Sequence, residues 1–443
     1  MTFPADFLWG AATSSYQIEG AALEDGRAAC IWTRFSHTPG KVLNGDTGDV
    51  ACDHYHRYRD DVALMADMGL RAYRFSVSWP RVLPSGVGAA NAAGLDFYDR
   101  LVDTLLAAKI RPFLTLYHWD LPQTLQDRGG WDNPDIVRWF GDYTDLVSRR
   151  LGDRVKDWIT LNEPWVVAFL GHWLGVHAPG IRDLGMAYRV LHNQLMAHGA
   201  AMVVIRRNVP DVSAGITIDL SLFEPATQRD EDVQAAWRED GFKNRWLLDP
   251  VFKGLYPTDM VNLVAEWLDG VDLDAIKQAA VPVDFLGVNY YTRILVEAAS
   301  SGPTAARPVK PANGSFTTMD WEIYPEGLYQ LLMRVHREYQ PAALYVTENG
   351  AAFADELTTS GAVHDAARRD YLEQHFKAAE RAIQAGAPLR GYFVWSLLDN
   401  FEWSLGYSQR FGLIYVDYVT QRRILKDSGR WYAEIIRQNG VFR

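Results

Sequence analysis

Short apolar runs recur along this 443-residue chain, and each of them stops at a polar or charged residue. Longer amphipathic stretches separate the runs, and this alternation is typical of βα units packed around a parallel sheet. A polar residue follows each run: His118 follows RPFLTLY, Asn162 and Glu163 follow WITL, Asn289 follows FLGV, Glu348 and Asn349 follow LYVT, and Arg74 follows RAY. In a parallel barrel such positions lie at the C-terminal rim, where loops build the active site. The pattern predicts an α/β fold, but it does not distinguish a closed barrel from an open sheet.

Helices and loops can be placed between these runs. Apolar residues that recur at three- or four-residue steps predict helices outside the sheet. They are Val62, Met65 and Met68, ending at Gly69, and then Phe97, Leu101 and Leu105. Residues 297–325 are rich in Pro, Gly, Ala and Ser and predict a long surface loop that contains Trp321, and residues 39–49 predict a second loop. No break resembles a linker, so we expect one unit over residues 1–443.

Composition narrows the possible partners and the compartment. The hydrophobic share of 48% is that of an ordinary globular protein, and the 16 Trp and 21 Tyr suit either core packing or the faces of sugar rings. The formal net charge of -11, with no dense basic tract, argues against nucleic acid and anionic membranes as partners. Cys30 and Cys52 form neither a disulfide framework nor a zinc pattern. The chain shows no signal peptide and no apolar stretch of about 20 residues, so we expect a cytoplasmic protein.

Two glutamates, Glu163 in TLNEPW and Glu348 in YVTENG, stand where runs end. Cleavage of a glycosidic bond needs a proton for the leaving oxygen and a negative group facing the developing oxocarbenium ion, so two carboxyl groups suffice without a metal or a cofactor. Among 55 acidic residues, however, an isolated Glu is usually a solvated charge or an ion-pair partner. His54 and His56 are close in sequence but lack a recognised ligand pattern, which leaves a metal-dependent hydrolase as a weaker alternative.

Several motifs occur in a characteristic order along the whole chain. They are FLWGAATSSYQIEG, SWPRVLPSG, LYHWDLPQ, NEP, GVHAPG, GVNYY, TENG, WSLLDNFEW and RFGLIYVD. Together they resemble family 1 glycoside hydrolases. The resemblance implies a single-domain (β/α)₈ TIM barrel with extended βα loops, in which Glu163 ends the fourth strand and Glu348 the seventh. It also implies a retaining β-glycosidase that releases terminal non-reducing β-D-glucosyl residues, and also galactosyl or fucosyl residues, in polysaccharide and cellulose degradation.

The resemblance assigns a role to individual residues. Glu163 would be the acid/base and Glu348 the nucleophile, with their carboxyl groups about 5 Å apart. Arg74 and Tyr291 would contact the nucleophile, and Asn289 would support it. The substrate-binding candidates are Gln17, His118, Trp119, Asn162 (at the sugar 2-hydroxyl), Trp395 (beneath the ring), Glu402, Trp403 and Phe411. Trp165, His177 and Trp321 are candidates for contacts with the aglycone, and local packing would explain them equally well.

Two other functions are compatible with the same motifs. A 6-phospho-β-glycosidase is disfavoured, because Glu402 would repel a 6-phosphate and SLGYSQRFG lacks the phosphate-binding motif of such relatives. A catalytically silent sugar-binding barrel is disfavoured because both glutamates are present. The expected partners are therefore small β-glucosides or short oligosaccharides.

Overall fold

Eight parallel strands close into a barrel in this structure, a computed structural model that describes residues 3–440. The strands of the described residues, including those outside the barrel, are β1 (Leu8–Ala12), β2 (Ala72–Ser76), β3 (Arg111–Tyr117), β4 (Asp157–Asn162), β5 (Ser213–Asp219), β6 (Leu222–Pro225), β7 (Phe285–Asn289), β8 (Arg293–Ala298), β9 (Ala306–Val309), β10 (Leu344–Asn349), β11 (Leu389–Trp395), β12 (Ile414–Val416) and β13 (Arg423–Leu425). The order around the barrel is β1-β11-β10-β7-β5-β4-β3-β2. The predicted (β/α)₈ barrel is confirmed; residues 1–2 and 441–443 of the expected unit lie outside the described residues.

Helices connect the strands and surround the barrel. The α-helices are α1 (Ser15–Ile18), α2 (Ile31–Ser36), α3 (His54–Asp67), α4 (Trp79–Val82), α5 (Ala92–Ala107), α6 (Gln123–Gln126), α7 (Ile136–Leu151), α8 (Leu184–Asn208), α9 (Asp230–Asp240), α10 (Trp246–Lys253), α11 (Thr258–Leu263), α12 (Pro325–Tyr339), α13 (Ala366–Gln384) and α14 (Asp427–Gln438). Two π-helical segments, Val166–Leu170 and Gly241–Arg245, lie among them. None of the helices within residues 3–440 is both long and apolar enough to cross a membrane.

The barrel strands are buried on both faces, because the helices cover the outside and side chains fill the inside. The barrel-strand residues that are not fully buried are Leu8, Arg111, Ser213 and Arg390, each at or next to the start of its strand. The interior contains a buried cluster that includes Phe113, Ile159, Phe285, Tyr345 and Phe393. The Phe113 ring lies 5.2 Å from Tyr345 and 4.8 Å from Phe393, centroid to centroid. This packing leaves space for a site at the C-terminal rim.

The two predicted outer helices are confirmed. Helix α3 ends at Asp67, directly before Met68 and Gly69, and α5 carries all three apolar positions of the second pattern on its buried face. One predicted strand end is wrong: β2 does not stop at Arg74 but continues to Ser76. Arg74 is completely buried and its guanidinium contacts Glu348 inside the barrel. A charged residue therefore interrupts the apolar run without ending the strand.

The loop predicted for residues 297–325 is wrong in part. Glu297 belongs to β8, which pairs with β9 antiparallel and with β6 in parallel, so a three-stranded sheet forms beside the barrel. Pro308 hides this strand from the sequence pattern, but β9 is an edge strand, where a residue without an N–H is tolerated. The loop predicted for residues 39–49 is confirmed; it contains one short 3₁₀ turn, Leu43–Gly45.

Candidate active site

A cavity of about 360 Å³ opens at the C-terminal rim of the barrel, within the range of roughly 300–1,000 Å³ that is usual for small-molecule sites. Residues within one position of the ends of six barrel strands line it: His118, Glu163, Asp219, Asn289, Glu348 and Trp395. Four of the five predicted strand ends therefore supply a residue to one cavity. Parallel strands that all point the same way around a closed barrel make this convergence unavoidable.

The two predicted catalytic glutamates meet in this cavity. Glu163 is 6% exposed and Glu348 is 3% exposed, and both line the cavity wall. The Asn289 amide donates to Glu163 Oε1 at 2.7 Å and is also one of the groups that lower the pKa of Glu348. Arg74 donates to Glu348 Oε1, and Tyr291 Oη donates to Glu348 Oε2 at 2.7 Å. The two carboxyl groups thus face the same space, and among the described residues only Glu348 forms an ion pair, with Arg74.

The surroundings separate the proton affinities of the two glutamates. Burial raises the pKa of Glu163 well above its usual range, and the charges of Glu348 and Asp219 raise it further. Burial also raises the pKa of Glu348, but the Arg74 charge and the Tyr291 hydroxyl oppose that increase. The pair therefore holds its proton on Glu163 and its negative charge on Glu348. A pair of carboxyl groups with such different environments is the arrangement that lets one act as an acid and the other as a nucleophile.

Three residues of the cavity wall have a left-handed backbone. The φ angles are +51° at Glu163, +78° at Trp119 and +49° at Trp403. Side chains other than Gly rarely adopt this conformation, and it is concentrated at functional sites. At Glu163 the turn is held by a backbone hydrogen bond from its N–H to the Thr217 carbonyl at 3.0 Å. The chain then continues into the π-helical segment Val166–Leu170, which brings Val166 and Leu170 to the cavity.

A buried polar network orients His118. Arg74 and the Asn289 amide both donate to Asn162 Oδ1, at 2.6 and 3.1 Å, so the Asn162 amide nitrogen faces His118 Nε2 at 3.1 Å. Burial, followed by the Arg74 charge, lowers the pKa of His118 well below its usual range, so the ring is neutral. Because Nε2 must accept this hydrogen bond, the ring proton is on Nδ1. Nδ1 is buried and has no hydrogen-bond partner among the described residues, which leaves it as a donor for a bound molecule.

Aromatic rings and the Glu402 carboxyl group form another part of the cavity wall. The Trp395 and Trp403 rings stack near His118, at centroid distances of 5.9 and 6.1 Å, and Trp119 lies 4.4 Å from Trp403. Glu402 is the only acidic residue on this wall within the described part of the chain, and Phe411 lines the same side. Burial and the Glu348 charge raise the pKa of Glu402 to about 8. Near neutral pH its carboxyl group therefore offers a donor and an acceptor together, which suits a sugar hydroxyl.

Arg74, Asn162 and Gln17 lie behind the cavity wall rather than on it. The Gln17 amide accepts from Ser14 at 2.6 Å and donates to Asn400 Oδ1 at 3.0 Å and to the Phe401 carbonyl at 2.9 Å. In this structure Gln17 thus holds the segment that carries Glu402. Its direct contact with a substrate stays a prediction.

The three aglycone candidates all line the cavity. Trp165 Nε1 and His177 Nδ1 are buried and have no hydrogen-bond partner within residues 3–440. Burial lowers the pKa of His177 to about 4, so its ring is neutral at physiological pH. The Trp321 ring lies 5.1 Å from Tyr291 and 6.1 Å from Phe411. Each of these side chains is therefore placed to touch a ligand.

The sequence reasoning missed two charged residues of the wall, Asp219 and Lys243. Their side chains form an ion pair with Lys243 Nζ at 2.7 Å from Asp219 Oδ2. Asp219 carries the same signal as the predicted residues, because the apolar run AGITI ends at this position. Lys243 carries no such signal, since it lies in the π-helical segment between α9 and α10.

The fold and the site together define a class, namely (β/α)₈ barrels with a pair of buried carboxyl groups at one rim cavity. A family model described as Glycosyl hydrolase family 1 matches residues 1–441, and the chain belongs to this family. Two relatives are each 52% identical to the chain: "1,4-beta-D-glucan glucohydrolase" of Thermotoga neapolitana, with 99% of each chain covered, and "Beta-glucosidase A" of Thermotoga maritima, with 99% of this chain and 98% of the relative covered. The solved structure of a Thermotoga maritima beta-glucosidase in complex with deoxynojirimycin superimposes with a TM-score of 0.98 at 51% identity, with 100% of both chains covered.

Proposed function

We propose that this chain is a retaining β-glucosidase that hydrolyses terminal non-reducing β-D-glucosyl residues, and also galactosyl and fucosyl residues, by double displacement. The observation that carries the proposal is the pair of buried glutamates in one cavity, of which Glu348 is ion-paired with Arg74. The names of the relatives support the glucosidase activity. A retaining enzyme needs its two carboxyl groups about 5 Å apart, and their shared contact with Asn289 supports that spacing.

In the first step, Glu348 attacks the anomeric carbon while protonated Glu163 donates its proton to the leaving oxygen. Arg74 and Tyr291 keep Glu348 ionised and hold its two oxygens in fixed directions. Burial and the neighbouring carboxylate keep the proton on Glu163. Both groups therefore begin the reaction in the required protonation state.

In the second step, Glu163 removes a proton from water, which attacks the glycosyl ester on Glu348. Ester formation removes the negative charge of Glu348, and this charge is the second-largest cause of the raised pKa of Glu163. The pKa of Glu163 must therefore fall once the intermediate has formed, and the residue becomes a base. The same carboxyl group thus serves as the acid of the first step and the base of the second.

The glycone is recognised by donors and acceptors that have no partner among the described residues. His118 Nδ1–H donates to one hydroxyl, and the unpartnered Glu402 Oε2 binds another. Trp395 packs beneath the ring, with Trp119, Trp403 and Phe411 around it. Asn162 lies behind this wall, so its proposed contact with the 2-hydroxyl requires its amide nitrogen to exchange His118 for the sugar. A hydroxyl of the wrong configuration would leave these buried groups unpaired, which makes the site selective.

Neither alternative function is favoured by the cavity. Lys243 is the only Lys or Arg among the described residues that line it, and Asp219 already neutralises that cation. A 6-phosphate would therefore meet no free cation among the described residues of the cavity wall. A catalytically silent sugar-binding barrel is disfavoured, because sugar binding alone does not require two carboxyl groups with different proton affinities, whereas acid and nucleophile catalysis does.

The cellular role is part of the proposal. We propose that the whole chain, residues 1–443, is one catalytic barrel that acts on small β-glucosides, including short oligosaccharides released during cellulose degradation. We also propose that it works in the cytoplasm, since Cys30 and Cys52 are buried, free thiols. Fractionation of the source cells followed by an activity assay would test this location.

The decisive experiment removes the nucleophile. We expect Glu348→Gly to abolish turnover of 4-nitrophenyl β-D-glucoside and added azide to restore release of nitrophenol. The product should be the α-glucosyl azide, because azide attacks once from the face that Glu348 occupied. Unchanged turnover in the variant, or a β-azide product, would contradict the assigned nucleophile.

A further inference from the structure

The dipeptide Asn–Gly occurs four times in the sequence, at residues 44–45, 313–314, 349–350 and 439–440. This pair is chemically reactive, because glycine has no Cβ and its backbone nitrogen can approach the carbonyl carbon of the preceding Asn side chain without obstruction. In a folded protein the reaction has two structural conditions. The glycine N–H must be free of hydrogen bonds, and the Asn side chain must be free to turn toward it.

The fold immobilises the Asn side chain in two of the four pairs. Asn349 is completely buried, and its amide donates to the Tyr290 carbonyl at 2.7 Å and to Tyr371 Oη at 2.9 Å. The Asn439 side chain accepts from Trp9 Nε1 at 3.0 Å. Neither side chain can turn toward the following glycine unless these bonds break, so both pairs are protected while the protein is folded.

The pair at residues 44–45 is exposed, but its glycine nitrogen is occupied. The Gly45 N–H donates to the Val42 carbonyl at 3.1 Å, within the 3₁₀ turn Leu43–Gly45. A hydrogen-bonded N–H loses its proton less readily, and the turn must open before the nitrogen can attack. This pair is therefore also protected, although water surrounds it.

Asn313 and Gly314 meet both conditions. They are exposed and lie in the connection between β9 and α12. Within residues 3–440, neither the Asn313 side chain nor the Gly314 N–H makes a hydrogen bond. The backbone does not require a glycine here, because the φ angle of Gly314 is not in the left-handed region and an added Cβ would lie 3.2 Å from the Phe316 ring. The structure thus leaves this pair free to react.

We propose that Asn313 is a site of spontaneous deamidation, at which the folded protein changes its own charge with time. The Gly314 nitrogen loses its proton to solvent base and bonds to Asn313 Cγ, while the bond from Cγ to the side-chain nitrogen breaks and that nitrogen leaves as ammonia. Water then opens the five-membered imide at either of its two carbonyl carbons. The products are aspartate and isoaspartate, and water is the only co-reactant.

Each event adds one negative charge to a chain whose formal net charge is already -11. In isoaspartate the backbone also runs through the former side chain, which lengthens the connection between β9 and α12. The inference is independent of the proposed glucosidase activity, because the reaction needs only the folded chain and water.

The test compares the rate of reaction at each of the four pairs in the folded protein and in the unfolded chain. The full-length protein is kept at mildly alkaline pH, in buffer or in guanidinium chloride, and is then digested at acidic pH for mass spectrometry of the peptides. In the unfolded chain all four pairs should react. We expect the rate at Asn313 to be about the same in both states. In the folded protein the rate should fall several-fold at Asn44 and roughly tenfold or more at Asn349 and Asn439.

Variants of the folded protein, followed by anion-exchange chromatography, test the same site. Asn313→Gln should abolish most of the slow gain of acidic charge, because the longer side chain would have to close a six-membered ring. Gly314→Ala should slow the gain, because a Cβ obstructs the attacking nitrogen. Asn44→Gln is the matched control, since Asn44 is equally exposed and also precedes a glycine, and it should keep the wild-type rate.

Three results would overturn the inference. A rate at Asn313 that falls on folding as strongly as the rate at Asn349 would show that the loop holds the pair in an unreactive conformation. A faster reaction at Asn44 than at Asn313 in the folded protein would show that the hydrogen bond of the glycine N–H does not control reactivity. A gain of acidic charge by Asn313→Gln at the wild-type rate would place the reaction elsewhere in the chain.

Discussion

Replacing Tyr291 with Phe would remove one hydrogen bond to the proposed nucleophile and leave the aromatic ring in place. Tyr291 Oη donates to Glu348 Oε2 at 2.7 Å. Burial and the charge of Glu348 hold the pKa of the Tyr291 hydroxyl well above its usual value, so it remains a donor across the working pH range. Phe would keep the ring contact with Trp321, at 5.1 Å between centroids. The substitution therefore isolates the effect of a single donor on Glu348.

The expected effect is a shift of the acidic limb of the pH profile. A hydrogen bond to a charged group contributes roughly 1.5–3 kcal/mol. Because about 1.4 kcal/mol corresponds to one pKa unit, loss of the bond should raise the apparent pKa of Glu348 by about one to two units. The hydroxyl stabilises the ionised form, so without it Glu348 stays protonated to a higher pH. The acidic limb of kcat/KM should move upward, while the alkaline limb, set by Glu163, should stay in place.

The assay is kcat/KM for 4-nitrophenyl β-D-glucoside from acidic to alkaline pH. Tyr290→Phe is the matched control, because the Tyr290 hydroxyl donates to the backbone carbonyl of Tyr324 at 2.6 Å and does not line the cavity. The control should lose stability but keep the wild-type profile. An acidic limb of Tyr291→Phe that coincides with that of the wild type would refute the reasoning about Glu348.

Two further predictions concern the proton donor and the stability of the barrel. Glu163→Gln should lose most of its kcat/KM on cellobiose but retain formation of the glycosyl-enzyme from 2,4-dinitrophenyl glucoside, whose leaving group needs no proton; a burst measurement checks this, and equal losses would contradict it. Lys426→Met should lower the free energy of unfolding by about 3–5 kcal/mol, because Lys426 is fully buried and pairs with Asp355 and Asp399. Denaturant unfolding measures that loss, and Lys377→Met, which breaks a half-buried pair with Glu373 on the helix surface, should lower the free energy of unfolding by less than about 1 kcal/mol.

Local patterns predicted much of the fold and part of the site. The runs that stop at His118, Asn289 and Glu348 are strands that end at the cavity, because the order of apolar and polar residues along a strand reflects its burial directly. The same pattern gave a wrong strand end at Arg74, because a charged side chain that points into the barrel interrupts an apolar run in the same way as the end of a strand. The pattern of apolar runs did not predict Lys243 at all. This residue lies in a helical segment and reaches the cavity only through the packing of that segment.

The sequence by itself determined the alternation of strands and helices and the placement of the two glutamates near strand ends. Both depend on the order of apolar and polar residues over a short stretch of chain. Tertiary structure alone decided the chemistry of those glutamates. Arg74 and Glu348 are 274 positions apart, and Asn289 and Glu163 are 126 apart, yet each pair is in hydrogen-bond contact. A pKa depends on burial and on charges a few ångströms away in space. Closure of the barrel brings those charges together, and for that reason one carboxyl group holds a proton while the other holds a charge.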